Sequence, residues 1–243
     1  MRYPNFSFEK RLWKKGFQFV AGIDEVGRGC FAGPVVAAAV VFKETMSDGL
    51  KGKMFTSEKK VMINDSKKLK PRQRKISSEW IRENAIIWGI GEASVAEINR
   101  VGIGKATSSA FRRAVSNANK RPQDRVDYLL IDAFYVPYIG GYPMRYKKAR
   151  RNNKLKDSHS RQLAVVNGDE KAFSISAASI VAKVYRDNLM KKLSRRERYK
   201  VYKWGKNKGY ATKEHQTAIR QHGITRLHRK QFVETFLNNH EAS

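Results

Sequence analysis

The chain of 243 residues predicts an α/β fold, a mixed five-stranded sheet flanked by helices with a helical C-terminal part. Three observations lead there. Short β-branched or aromatic apolar runs alternate with stretches of helical periodicity. The first two runs are separated only by a turn rich in glycine, so they pair as a hairpin and make the sheet mixed rather than all parallel. Beyond Trp204 there are only helix candidates and a Gly-Tyr turn.

The elements follow in order. Phe17 to Asp24 (FQFVAGID) reads as a strand, GRGCFAGP as a turn, and Val35 to Phe42 (VVAAAVVF) as a buried strand bounded by Pro34. Pro71 to Asn84 reads as a helix, and Ala85 to Glu92 as the third strand. Ser94 and Glu97 have the S-x-x-E spacing of a capping box, so a short helix starts there. Gly104 to Asn119 is a longer helix, Asp127 to Ala133 the fourth strand, and Leu163 to Val166 a short fifth. From Ser174 to about Arg195 apolar residues recur at helical spacing, with Lys and Arg gathered at the end that the helix dipole favours. Residues 139–160, dense in Lys, Arg and Asn without periodicity, read as an exposed basic loop.

Composition narrows the function. Lys and Arg total 50 against 22 Asp and Glu, a net charge of +28, which calls for an acidic partner, nucleic acid before an anionic membrane surface. No apolar run reaches the roughly 18 residues that a membrane span needs, and the charged, aromatic start is unlike a signal peptide. Cys30 is the only cysteine, which excludes an internal disulfide and a zinc site built on several thiolates. A cytoplasmic, monomeric protein is the expectation.

In a chain this basic, acids at the ends of apolar strands stand out. Asp24 and Glu25 end the first strand, Asp132 ends YLLID, and Asp169 follows LAVVNG. Strand ends converge on one sheet edge in α/β folds. Converging carboxylates repel one another unless hard cations such as Mg²⁺ or Mn²⁺ lie between them. Two such ions can activate water and stabilise the leaving oxygen of a phosphodiester. The bland alternative is that these are strand-terminal caps or surface acids. A second alternative is a non-catalytic nucleic-acid-binding protein, such as a ribosome-associated factor; acids in a binding face argue against it.

Other features favour plain roles. Gly27, Gly29 and Gly33 are followed by a strand rather than a helix, so no dinucleotide loop is expected. His215, His222 and His228 lack cysteine partners and read as polar surface residues, His215 as a phosphate contact. Asp187 reads as a local ion-pair partner of Arg186, and Asp65 either as a turn residue or as a support for Lys67.

Five ordered blocks carry a resemblance that sharpens this reading: AGIDEVGRGCFAGPVVAAAVVF from Ala21, NDSKKL from Asn64, LLIDA from Leu129, NGDEKAFSISAASIVAKVYRD from Asn167, and GYATKEHQTAIRQHGITRLHRKQF from Gly209. Together they resemble ribonuclease HII. The resemblance implies an RNase H-like catalytic domain over residues 1–200, with 139–160 as an inserted basic loop, and a helical extension at 201–243 packed on it. It implies Mg²⁺- or Mn²⁺-dependent hydrolysis on the 5′ side of a ribonucleotide, in RNA–DNA hybrids or in duplex DNA with embedded ribonucleotides, leaving 3′-hydroxyl and 5′-phosphate ends. Asp24, Glu25, Asp132 and Asp169 become the catalytic, metal-holding acids. Gly27, Arg28 and Gly29 would meet the 2′-hydroxyl region through their backbone, Tyr210 would stack on the neighbouring sugar, and Ser66 with Lys67 would meet phosphates. Two departures stand out. Asn167 replaces the Lys usual before Gly-Asp, and the basic stretch from Tyr142 to Arg161 separates the third acid from the fourth. Glu170 is the alternative fourth acid, because the sister family ribonuclease HIII uses Glu there.

Overall fold

The computed structural model describes residues 3–48, 53–55, 60–120, 125–133, 136 and 161–241; the expected basic loop lies outside them. The five expected strands are all present: β1 (Val20–Val26), β2 (Val35–Val41), β5 (Ile87–Ala93), β6 (Tyr128–Asp132) and β7 (Gln162–Val165). Between β2 and β5 lies a pair not expected from the sequence, β3 (Lys53–Phe55) with β4 (Lys60–Met62). The helices are α1 (Ser7–Trp13), α2 (Pro71–Asn84), α3 (Val95–Val101), α4 (Ile103–Ala118), α5 (Gly168–Lys171), α6 (Phe173–Ser194), α7 (Trp204–Asn207), α8 (Lys213–His222) and α9 (Lys230–Glu241).

The main sheet runs β5-β2-β1-β6-β7. β1 pairs antiparallel with β2, and β2 with β5, whereas β6 and β7 add in parallel. The sheet is therefore mixed, and the antiparallel part is the opening hairpin extended by β5.

Strand alternation sorts the side chains into two cores. Val36, Ala38 and Val40 face one side, where Ile81 of α2 and Ile175, Ala178, Val181 and Ala182 of α6 cover them. Val35, Ala37, Ala39 and Val41 face the other, against Ala106, Ala110, Phe111, Ala114 and Ala118 of α4. A strand buried on both faces is continuously apolar, which is why VVAAAVVF shows no alternation of its own. Helix α6 presses on β1 so closely that a Cβ at Gly22 would lie 2.1 Å from the Ser174 carbonyl carbon. That contact fixes the start of α6 beneath the strand bearing Asp24.

Helix α1 went unexpected because seven residues carry too little periodicity to read. It locks the start of α6: Phe6 stacks on Phe173, and buried Glu9 accepts hydrogen bonds from the Ser174 amide at 2.9 Å and its hydroxyl at 2.6 Å. Burial raises the Glu9 pKa, while the hydrogen bonds from Ser174 pull the other way. At α3 the Ser94 hydroxyl accepts from the Glu97 amide, as expected. The Glu97 carboxylate does not complete a capping box; it pairs with Arg113 at 2.6 Å.

A third cluster gathers Phe31 and Met190 with Tyr199, Tyr202, Trp204, Ala218, Ile219 and Val233. The C-terminal helices thus pack on the tip of α6 and on the turn after β1, beside the acidic strand ends.

Candidate active site

Sheet register brings the first three acids together. Ile23 of β1 lies opposite Ile131 of β6, so the next residue on each parallel strand is Asp24 and Asp132. Asp132 in turn pairs with Val165 at the end of β7. From there Val166 and Asn167 lead into α5, where the Gly168 amide donates to Asp132 Oδ1 at 2.7 Å and Asp169 follows immediately. Asp24 and Asp169 are buried, at 5% and 7% exposure, while Glu25 is half-buried beside Arg28 Nη1 at 3.5 Å.

The electrostatics are those of crowded carboxylates. Burial, then the charge of Glu25, with further contributions from Asp132 and Asp169, lifts the Asp24 pKa well above the ordinary carboxylate range; a hydrogen bond from Ser179 opposes the rise. Burial followed by the charges of Asp132 and Asp65 raises Asp169 to about 6. Glu25 is raised mainly by burial, against the pull of Arg28. The nearby Lys67 ammonium stands 3.8 Å from Asp169, but its side chain is 80% exposed, so water screens much of the pair.

This donor set fits hard divalent cations: all oxygen, buried or half-buried, and destabilised by its own repulsion. The side chains are not closed around a point. Among the described residues no group of three or more His, Cys, Asp or Glu is drawn to metal-holding distance. Instead Asp24 Oδ1 accepts from the Glu25 amide at 2.7 Å, and Asp132 Oδ1 from Gly168. The carboxylates share an edge, and Asp24 and Asp132 each have one oxygen tied to the backbone.

The second block forms a loop over the same edge. Asp65 serves both readings given to it: Oδ1 accepts from the Lys67 amide at 2.9 Å, a local turn that aims Lys67 at Asp169. Ser66 is buried, its hydroxyl hydrogen-bonded to that of Ser179 at 3.0 Å, which leaves Lys67 as the exposed member of the pair. Glu170 pairs with Lys68 at 2.6 Å. Tyr210 is 38% exposed, with Lys183 Nζ 5.6 Å and Arg186 Cζ 5.9 Å from its ring centre. Burial and the neighbouring Cys30 thiol push its hydroxyl up to about 12, so it stays protonated.

Two expectations are corrected. His215 is not a surface phosphate contact: it and His228 are fully buried, with Trp204 Nε1 donating to His215 Nε2 at 3.0 Å, and only His222 of the three is exposed. An amphipathic helix turned His215 inward, and aromatic neighbours accept a neutral imidazole there. Asp187 pairs with Lys183 at 2.8 Å, one helical turn away, and with Arg74 at 4.0 Å rather than with Arg186, since adjacent helical residues point apart. Sequence reasoning missed Ser179 and Arg229 as parts of the site. A groove of about 300 Å³ between α2, β5 and α6, lined by Arg82, Ile90, Tyr185 and Lys192, contains none of the acids.

The ribonuclease HII family model matches residues 21–235, nearly the whole chain. The chain belongs to the ribonuclease HII family. A ribonuclease HII of Wolbachia pipientis from Culex pipiens is 43% identical over 96% of this chain and 98% of its own length. That of Caldanaerobacter subterraneus is 38% identical over 95% of this chain and 80% of its own. Among solved structures, ribonuclease H2 of Pyrococcus horikoshii has a TM-score of 0.61 at 22% identity, covering 90% of this chain and 98% of that one. A Bst ribonuclease HIII in complex with Mn²⁺ has a TM-score of 0.60 at 18% identity, covering 93% and 71%. The family makes this chain an endoribonuclease, a type 2 ribonuclease H, on an RNase H-like fold. No helix among the described residues is long and apolar enough to cross a membrane.

Proposed function

We propose that this ribonuclease HII hydrolyses the phosphodiester 5′ to ribonucleotides, in RNA–DNA hybrids or in duplex DNA with embedded ribonucleotides, leaving 3′-hydroxyl and 5′-phosphate ends. The observation that carries the proposal is the meeting of Asp24, Glu25, Asp132 and Asp169 on one sheet edge, flanked by the Gly27–Gly29 turn and Tyr210. Those four acids would hold Mg²⁺ or Mn²⁺, which supplies an activated water and neutralises charge on the leaving oxygen when bound as a pair.

The chain's own residues supply the rest. Gly27, Arg28 and Gly29 meet the 2′-hydroxyl through their backbone, the group that distinguishes RNA from DNA. Tyr210 stacks on the following sugar. Lys67 meets a phosphate, with Ser66 beneath it holding the loop to Ser179. The net charge of +28 holds the polyanion over an otherwise repulsive acidic edge. Residues 1–200 act as the catalytic body and 201–243 as a helical extension, in a cytoplasmic monomer.

Incubation with a duplex containing one ribonucleotide, in Mg²⁺ or in EDTA, tests the proposal. Mg²⁺-dependent cleavage on the 5′ side with a 3′-hydroxyl end is expected. No cleavage in Mg²⁺, cleavage that persists in EDTA, or a 2′,3′-cyclic end refutes it.

A further inference from the structure

Arg229 is fully buried, and among the described residues its hydrogen bonds run to main-chain carbonyls rather than to a carboxylate. Nη2 donates to Gly27 O at 2.6 Å and to Gly33 O at 2.8 Å, Nη1 to Arg28 O at 2.6 Å, and Nε to Gly33 O at 3.0 Å. Its own amide donates to Phe31 O at 2.8 Å. Burial, and the proximity of Arg186, lower its pKa to about 10, so it stays charged at neutral pH. One guanidinium fork thus gathers both ends of the turn after β1.

The direction of those carbonyls has a consequence. Among the described residues there is no cis peptide. In a trans peptide the N–H points opposite to the preceding C=O. Drawing Gly27 O and Arg28 O inward therefore aims the Arg28 and Gly29 amides outward, where both residues are exposed. Two successive outward amides form a concave donor site for an oxygen. The turn also has to lie flat on the cationic layer: Gly27 has φ +91°, and a Cβ there would lie 2.2 Å from Arg186 Nε.

We propose that Arg229 is the positioning residue for ribonucleotide recognition, orienting the Arg28 and Gly29 amides by holding the two carbonyls behind them. The inference rests on reading residues 27–29 as the turn that meets the 2′-hydroxyl. Arg229 touches neither substrate nor acids; it acts through the turn. An ammonium at this position keeps the charge but lacks the planar fork that spans three carbonyls.

The test measures affinity for a short duplex containing one ribonucleotide and for its all-DNA twin, in an Asp24→Asn background that leaves the ribonucleotide intact. The ratio of the two affinities is the readout, because partial unfolding lowers both alike. Arg229→Lys should reduce the ratio by about tenfold, the scale of one lost charge-assisted hydrogen bond. Ile219→Ala, which loosens the same C-terminal cluster without removing any of the Arg229 hydrogen bonds to the turn, should lower the melting temperature and leave the ratio unchanged. An unchanged ratio in Arg229→Lys overturns the inference alone. A parent ratio of one overturns the substrate reading and the inference with it. Should Arg229→Lys fail to fold, the Arg229 Nε–H resonance of the parent decides: it should shift with the ribonucleotide duplex and not with the DNA twin, and equal response to both refutes the role.

Discussion

The strongest consequence of carboxylate crowding concerns stability. Asp169 titrates at about 6 in the folded chain against 3.8 as its ordinary value. Below about pH 4 both folded and unfolded chains carry the proton, and the group contributes nothing. As pH rises from 4 to 6 the unfolded chain ionises first, so folding loses stability, and the loss is complete above 6. At about 1.4 kcal/mol per pKa unit the full cost is about 3 kcal/mol. The open sheet edge, where Lys67 stands in water, screens it to about 1–2 kcal/mol. In EDTA at about pH 7.5, Asp169→Asn should therefore melt about 3–6 °C above wild type, the scale expected for a domain of this size. The gain should vanish at pH 4. Mg²⁺ should raise the wild-type melting temperature and leave the variant nearly unmoved, while single-turnover cleavage by the variant collapses. Glu170→Gln is the control: its pair with Lys68 is exposed, so it should lose a little stability and keep near-normal turnover. An Asp169→Asn variant that melts lower in EDTA refutes the crowding argument, and normal cleavage by it moves the fourth acid to Glu170.

Asp24→Asn should abolish nearly all cleavage while duplex binding, read by fluorescence anisotropy, stays intact or tightens slightly, because a charge that repels phosphate is lost. Tyr210→Phe should keep most activity and Tyr210→Ala lose about 1–3 kcal/mol of transition-state stabilisation in kcat/KM, the scale of ring stacking; equal losses would assign the work to the hydroxyl. Replacing Lys147, Lys148, Arg150 and Arg151 with Gln should weaken binding and reduce the slope of log affinity against log salt by about one per lost phosphate contact. Burial, with the nearby His215 adding, lowers His228 to about 4, so stability should fall as pH drops from about 6.5 towards 4, and a pH series of melts on His228→Gln should show a flatter acid limb.

How much of this was legible depended on whether a feature repeats along the chain. All five strands and the long helices were legible because their apolar residues recur with a period that sequence displays directly. Pro71–Asn84 matched at both ends, since Pro71 marks a first turn and Ala85 begins the run into β5. The three acids at strand ends were legible because charge is rare beside such runs. Asp169 stood out in the same way, four residues beyond β7; what the fold adds is the Gly168 amide beside it, which bonds Asp132. The β3–β4 pair has three residues per strand, too few to show alternation.

Buried polar groups were illegible for a different reason. A sequence presents His215, Arg186 and Arg229 as charges, and charges are ordinarily placed outside. Their burial is made possible by partners far along the chain: Arg186 donates to Ala32, Pro34 and Lys208 carbonyls, and Arg229 to those of the same turn. The imidazoles satisfy each other. The Thr225 amide donates to His228 Nδ1 at 2.9 Å, so the His228 proton lies on Nε2, 3.2 Å from His215 Nε2; His215 gives its Nδ1 proton to Tyr210 O at 2.8 Å and accepts the Trp204 indole proton on Nε2. Each step fixes the next tautomer, and the chain ends on the residue proposed to sense the sugar. The polar groups hardest to read from sequence are thus the ones that aim the backbone of the turn and of Tyr210, because main-chain carbonyls, which sequence does not distinguish, are what they hold.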